Sequence, residues 1–188
     1  QRLVRMVNGH RLSGIIVETE AYLGPTDRAC HSFGNRCTPR NQSMYLSGGH
    51  AYIYFIYGLY FCFNVVTRNA GIAEAVLIRA LEPDGGISKM QKNRGREALK
   101  ELASGPGKLC TAMGINRSID GLSLTGDKIF IEDMGRSLAK REIYSGPRIG
   151  IDYAEEACDW PLRFAIKSSA HLSKKLTLLE ASGKQSKR

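Results

Sequence analysis

The sequence predicts a single α+β domain, built on a mainly antiparallel sheet flanked by helices, and three observations carry that expectation. Asn8-Gly9 separates two strand-like runs at 3–7 and 12–22, and an Asn-Gly pair favours the type I′ turn of a hairpin. Residues 52–64 hold seven of the fifteen Tyr, Phe and Trp residues and no charge, so they read as a second hairpin folded at Tyr57-Gly58. Further on the signals turn helical, with Pro106 at a helix start and Gly114 at its end. At 188 residues the chain is long enough for one well-buried core, and no repeat, linker or second domain is visible. The domain is expected to span 1–182, followed by a basic, disordered tail over 183–188.

In chain order, strand character begins at once, which suggests that a natural N-terminus is trimmed or disordered. In the second strand Ile15, Val17, Thr19 and Ala21 share one face, and Ile16, Glu18, Glu20 and Tyr22 share the other. Two carboxylates and a phenol thus line one edge. Thr26 or Asp27 then caps a short helix carrying Arg28, Ala29, Cys30 and His31, and the polar stretch 32–47, with Arg36 and Arg40, reads as a surface loop. The aromatic hairpin places Tyr52, Tyr54 and Ile56 on one face and Ile53 and Phe55 on the other, with Tyr57 at the tip. Residues 73–81 read as a buried strand ending at Glu82-Pro83, and Arg79 inside it needs a partner or an anion to offset its burial. Residues 87–102 read as a basic helix broken around Gly95. The glycine-rich start at Ser104-Gly105-Pro106-Gly107-Lys108 is either a phosphate-binding helix N-terminus or a plain helix start. Short strands are expected at 128–132, 148–152 and 160–166.

A formal charge of +9 and a pI near 9.5 favour a polyanionic partner, nucleic acid first and an anionic membrane surface second. The aromatic run is shorter than the roughly 18 residues of a membrane span, and no signal or transmembrane segment is visible, so no membrane partner is expected. The five cysteines are odd in number and lack a CxxC pair, which fits free thiols in a reducing compartment. Cys30, His31 and Cys37 lack a second ligand pair with finger-like spacing, so no metal is expected, and a zinc enzyme using these three stands as a rival.

The tyrosine count matters because a hairpin that is only packed would favour Val, Ile and Leu, whereas nucleobases stack on rings. Glu18 and Glu20, about 7 Å apart along an extended strand, suit proton abstraction if burial and like charge raise a carboxylate pKa. The plain alternative is that one pairs with a basic residue and the other is solvated. His31 reads equally as an ordinary histidine, and Asn64 as a strand end or as an amide offered to a base edge. Neither a nucleophile triad nor a nucleotide-binding glycine fingerprint is evident. A nucleic-acid enzyme is the favoured reading, with a non-catalytic binder of distorted or damaged nucleic acid close behind.

Val17-Glu18-Thr19-Glu20-Ala21-Tyr22-Leu23-Gly24-Pro25, His31-Ser32, Thr38-Pro39-Arg40-Asn41, the 52–64 hairpin, Leu77-Ile78-Arg79-Ala80-Leu81-Glu82-Pro83 and Ser104-Gly105-Pro106-Gly107-Lys108-Leu109-Cys110 together resemble the alkyladenine (3-methyladenine) DNA glycosylase family. The resemblance runs in order from about residue 12 to residue 166. It implies a monofunctional, monomeric glycosylase of base excision repair that flips a damaged purine from double-stranded DNA and hydrolyses its N-glycosidic bond. The lesions implied are 3-methyladenine, 7-methylguanine, hypoxanthine and ethenoadenine, with no metal or organic cofactor. Glu20 matches the base that activates water, and Arg79 a basic residue at the active site. Tyr22, His31 and Tyr54 match the walls around the flipped base, and Asn64 the residue that crowds the 2-amino group of guanine. Tyr57 matches the side chain that fills the vacated stack, and Leu59, Arg40 and Lys108 are expected to contact DNA. The expected sheet is curved, with the aromatic hairpin protruding towards DNA. The compartment is the nucleus in a eukaryote and the cytoplasm in a bacterium. Cys30, Phe33 and Cys37, beside His31, depart from the family pattern.

Overall fold

The computed structural model describes residues 1–96 and 98–176, so the expected tail at 183–188 and the end of the 1–182 domain lie outside the described residues. Strands β1 (Arg2–Val7) and β2 (His10–Tyr22) form the first hairpin, in register from Arg2 opposite Ile15 to Val7 opposite His10. Asn8 and Gly9 take φ of 49° and 75°, the left-handed pair that a type I′ turn requires. The aromatic hairpin is β3 (Ala51–Ile56) and β4 (Tyr60–Val66), turned by Tyr57 and Gly58 at φ of 53° and 67°. After β5 (Ala75–Gly85) come three helices, α1 (Ile87–Arg94), α2 (Leu99–Leu102) and α3 (Pro106–Met113), then β6 (Ile129–Glu132), β7 (Ile143–Gly146) and β8 (Arg163–Ile166).

All strand pairs are antiparallel, in one curled sheet of order β3-β4-β5-β2-β1-β6, which is the α+β architecture the sequence predicts. Strand β2 is its spine. Along one edge it pairs with β5; along the other, β1 takes the first half and β8 takes Glu18 to Glu20. Apolar side chains on the helix side, among them Leu3, Leu12, Ile53, Phe63, Leu81 and Met113, form the main core against the helices. Two smaller clusters, around Tyr52, Met44 and Val66 and around Ala29, Ile151 and Ala157, pack elsewhere and both touch Tyr22.

Register shifts interrupt the β2–β5 ladder between Ile16 and Glu18 and again between Glu18 and Thr19, so Val17 and Arg79 stand without direct partners across it. Bulges of this kind re-aim side chains. Val17 and Glu18 are consequently both buried, and the simple alternation expected along the strand holds only from Glu18 onward.

Several elements differ from the sequence reading. No helix forms over Arg28 to His31: a 3-10 turn spans Gly24–Thr26, and the Asp27 carboxylate accepts the backbone N–H groups of Leu23 and Ala29 instead. The stretch 32–47 is the expected surface loop, mostly exposed, but it carries two 3-10 turns and is pinned from within, with Met44 and Asn41 buried and the Asn41 amide donating to the carbonyls of His31 and Arg36. The strand expected to end at Glu82-Pro83 continues to Gly85, whereas the helical stretch is broken where expected, α1 being capped by Gly95 at φ 59° and α2 following as a separate turn. No strand forms at 148–152, because Arg148 is drawn to Asp27, while β7 lies just upstream, where no strand was expected.

Candidate active site

The second and third clusters leave between them a cavity of about 480 Å³. Tyr22 comes to it from β2, Leu77 and Arg79 from β5, Tyr54 and Asn64 from the aromatic hairpin, and Ile149 from the loop after β7. Glu20 is fully buried immediately behind this lining. Its Oε2 accepts the Tyr22 hydroxyl at 3.0 Å and Arg79 Nη1 at 3.0 Å, and its Oε1 accepts the backbone N–H of Ile149 at 2.7 Å. All three donors line the cavity. Burial, with the charge of Glu20 next, pushes the Tyr22 phenol well above its usual range, so Tyr22 stays protonated and donates.

Glu18, which the sequence groups with Glu20, plays another part. Its oxygens accept Arg79 Nε at 3.3 Å, Arg163 Nε at 2.7 Å, and the N–H and hydroxyl of Ser173 at 2.6 and 2.8 Å. Arg79 therefore bridges the two carboxylates, which is the partner its burial demands.

The aromatic wall is layered. The His31 and Tyr54 rings stack at 3.7 Å between centroids and 26° between planes, and the Arg40 guanidinium lies 4.9 Å from the Tyr54 centroid while donating to the Phe55 carbonyl at 3.0 Å. His31 Nδ1 sits 2.8 Å from the Tyr52 hydroxyl. Burial against these rings, with Arg40 second, pushes the His31 imidazole down to about 4. The residue as a whole remains exposed. A titration followed by NMR is expected to place His31 below its ordinary value, and Arg40→Ala to move it upward; an unmoved value would show that Arg40 does not act on it. Cys62 lines the same cavity, and burial pushes its thiol up to about 11, so it stands as a neutral thiol.

Asn64 is buried against the cavity, donating to the carbonyls of Tyr52 at 3.0 Å and Cys62 at 3.4 Å. At the hairpin tip Tyr57 is 84% exposed and Leu59 73%. Lys108 lies exposed in the first turn of α3, outside the cavity lining. A second cavity of about 390 Å³ shares His31, Arg40, Tyr54 and Tyr153 with the first. Among the described residues no three His, Cys, Asp or Glu side chains come together to hold a metal ion, and no helix is long and apolar enough to cross a membrane.

Glu20, Arg79, Tyr22, His31, Tyr54 and Asn64 thus converge on one site. Sequence reasoning missed the loop that closes it. Arg148 makes two bonds to the Asp27 carboxylate at 2.5 and 2.8 Å, and its guanidinium lies 4.8 Å from the Tyr22 ring. That anchor places the next amide, of Ile149, on Glu20. Gly146-Pro147 and Gly150 around Arg148 are turn signals that argue against a strand there.

The family model of methylpurine-DNA glycosylase (MPG) matches residues 1–170. A Bacillus cytotoxicus protein is 50% identical over 93% of this chain and 90% of its own length. One from Bacillus cereus strain G9842 is 48% identical with the same coverage, and both bear the name "Putative 3-methyladenine DNA glycosylase". A match of that extent settles the ancestry: the chain belongs to the methylpurine-DNA glycosylase family and is a DNA glycosylase, a hydrolase of N-glycosyl bonds.

Proposed function

We propose that the protein flips a damaged purine out of duplex DNA into the 480 Å³ cavity and cleaves its N-glycosidic bond with a water activated by Glu20. The observation that carries this reading is the carboxylate of Glu20, fully buried and held by three donors that all line the cavity. Water attacks C1′ of the deoxyribose and gives its proton to Glu20. The C1′–N bond breaks with its electron pair on the base: a purine alkylated at N3 or N7 leaves as the neutral base, hypoxanthine and ethenoadenine take up a proton from solvent as they leave, and an abasic site remains. Arg79 stabilises the charge on Glu20 before proton transfer and orients it. Purines alkylated at N3 or N7 are cationic and leave as neutral bases, so their release needs no general acid.

The stacked His31–Tyr54 pair acts as one wall and Tyr22 as another. Extrusion costs a few kcal/mol, and stacking returns about 1–3 kcal/mol per base, so two walls offset the flip. Cation–π attraction adds to this for N-alkylated lesions. Asn64, fixed by two carbonyls, narrows the floor against the 2-amino group of guanine. The lesions that fit are 3-methyladenine, 7-methylguanine, hypoxanthine and ethenoadenine. The relatives' names support the first of these, and their Bacillus origin supports the cytoplasm as the compartment. The decisive test is incubation with duplexes carrying each lesion, followed by detection of alkali-labile abasic sites; tight binding without abasic product would overturn the reading.

Tyr57 enters the space that the flipped base leaves, while Leu59, Arg40 and Lys108 meet the backbone and groove. A large side chain at φ 53° costs about 1–2 kcal/mol, and an 84% exposed ring recovers little of that by packing. Folding alone does not select tyrosine here. Tyr57→Gly is expected to leave the melting temperature at or above that of wild type and to weaken binding to lesion duplex by about tenfold or more, as loss of a stacking ring predicts. Equal affinity for the two proteins would remove Tyr57 from the interface.

A further inference from the structure

Arg79 has five N–H donors and two ends. Nη1 reaches Glu20 at 3.0 Å, while Nε and Nη2 both reach the Ser173 hydroxyl oxygen at 3.3 Å. The Ser173 hydroxyl in turn has one proton, and it points to Glu18 Oε1 at 2.8 Å. An arginine can only donate and a carboxylate accepts, which fixes the direction of each bond: Arg79 donates to Ser173, and Ser173 donates to Glu18. The backbone N–H of Ser173 donates to the other Glu18 oxygen at 2.6 Å, and Arg163 Nη2 holds the neighbouring Lys174 carbonyl at 3.0 Å. The segment after β8 is thereby fastened under the catalytic strand at both a carboxylate and a guanidinium. Ser173 lies beyond residues 1–170, the span that the family model matches.

We propose that Ser173 is a positioning residue for base excision: with Glu18 it fixes the rotation of the Arg79 guanidinium, and through Arg79 the orientation of the Glu20 carboxylate. The proposal rests on the reading of Glu20 as the group that activates water. Without the hydroxyl, Nη2 loses its partner among the described residues and the plane is held only by the 3.3 Å bond from Nε to Glu18 and by Glu20 itself, a looser hold that lets Nη1 drift from Glu20 Oε2. Misplacement of about 1 Å at a reacting group costs on the order of 10²-fold in rate. Ser173 lies outside the cavity lining, so binding of DNA is expected to be unchanged.

The test is single-turnover excision from a hypoxanthine duplex at saturating enzyme, alongside the dissociation constant for a duplex carrying a tetrahydrofuran abasic analogue. Assays run well below the melting transition of every variant. Ser173→Ala is expected to slow excision by about tenfold or more with an unchanged dissociation constant, and Ser173→Thr, which keeps the hydroxyl, to restore the rate. A Ser173→Ala rate within about twofold of wild type, or a loss that Ser173→Thr leaves unrepaired, overturns the proposal. Glu20→Gln separates the two layers. Undiminished excision by Glu20→Gln removes the mechanism and this inference with it, whereas an inactive Glu20→Gln beside a fully active Ser173→Ala removes only the role of Ser173.

Discussion

Glu20→Gln is expected to lower single-turnover excision by about 10²–10⁴-fold, the usual worth of a positioned general base, while affinity for lesion duplex stays at the wild-type value. The two effects are expected to separate because Glu20 is fully buried behind Tyr22, Arg79 and Ile149, so a base in the cavity touches those residues and not the carboxylate. The substitution has a second consequence. All three groups around the carboxylate are donors, so the amide of a glutamine turns an N–H₂ against at least one of them. That mismatch costs about 1–3 kcal/mol and shows as a lowered melting temperature. Excision rate, dissociation constant and thermal unfolding measured together resolve both effects. Retained excision with a lowered melting temperature would leave Glu20 as a structural residue only.

Asp27→Asn carries the largest expected loss of stability. Asp27 and Arg148 are both fully buried at their side chains and joined by two bonds, and removing one partner of such a pair costs about 3–5 kcal/mol. In a chain of this size that is a fall of roughly 6–20 °C in melting temperature. Burial opposes ionisation of Asp27, but the guanidinium of Arg148 and the amides of Leu23 and Ala29 outweigh it and hold the carboxyl below its usual range. That direction sets the sign of the pH dependence. With the folded-state value depressed, the stabilisation is complete above the ordinary carboxylate range and is lost as pH falls through the depressed value. Wild type and Asp27→Asn should therefore differ most near neutrality and converge in acid. Parallel curves at all pH values would show that the charge of Asp27 contributes nothing. Activity should fall too, since Arg148 steadies the Tyr22 ring and precedes the amide that holds Glu20.

Legibility in the sequence divides along a physical line. Both hairpins are readable because their turns are written locally, as Asn8-Gly9 and Tyr57-Gly58, and they define most of the sheet. The stop of α1 at Gly95 and the start of α3 at Pro106 are equally local. The first half of the site, from Glu20 to Arg79, is readable as motifs of a resembling family, and these residues do converge. The hidden features depend on partners far apart in sequence. Arg148 leaves the expected strand for Asp27, 121 residues away, and Glu18 is occupied by Ser173, 155 residues away. Such pairs leave no periodic trace. Likewise the two bulges, one at Val17 in β2 and one at Arg79 in β5, arise from how the two strands pair, which neither strand's own sequence announces.

The buried carboxylates of β2 have a consequence for synthesis. Glu18 and Glu20 emerge from the ribosome early, but their donors come from Arg79, Ile149, Arg163 and Ser173, spread over most of the remaining chain. Until the last of these is available, closing the sheet over two carboxylates means burying charge without compensation, which is strongly unfavourable. The strand that carries both carboxylates is thus unable to take its final place until Ser173 has been made.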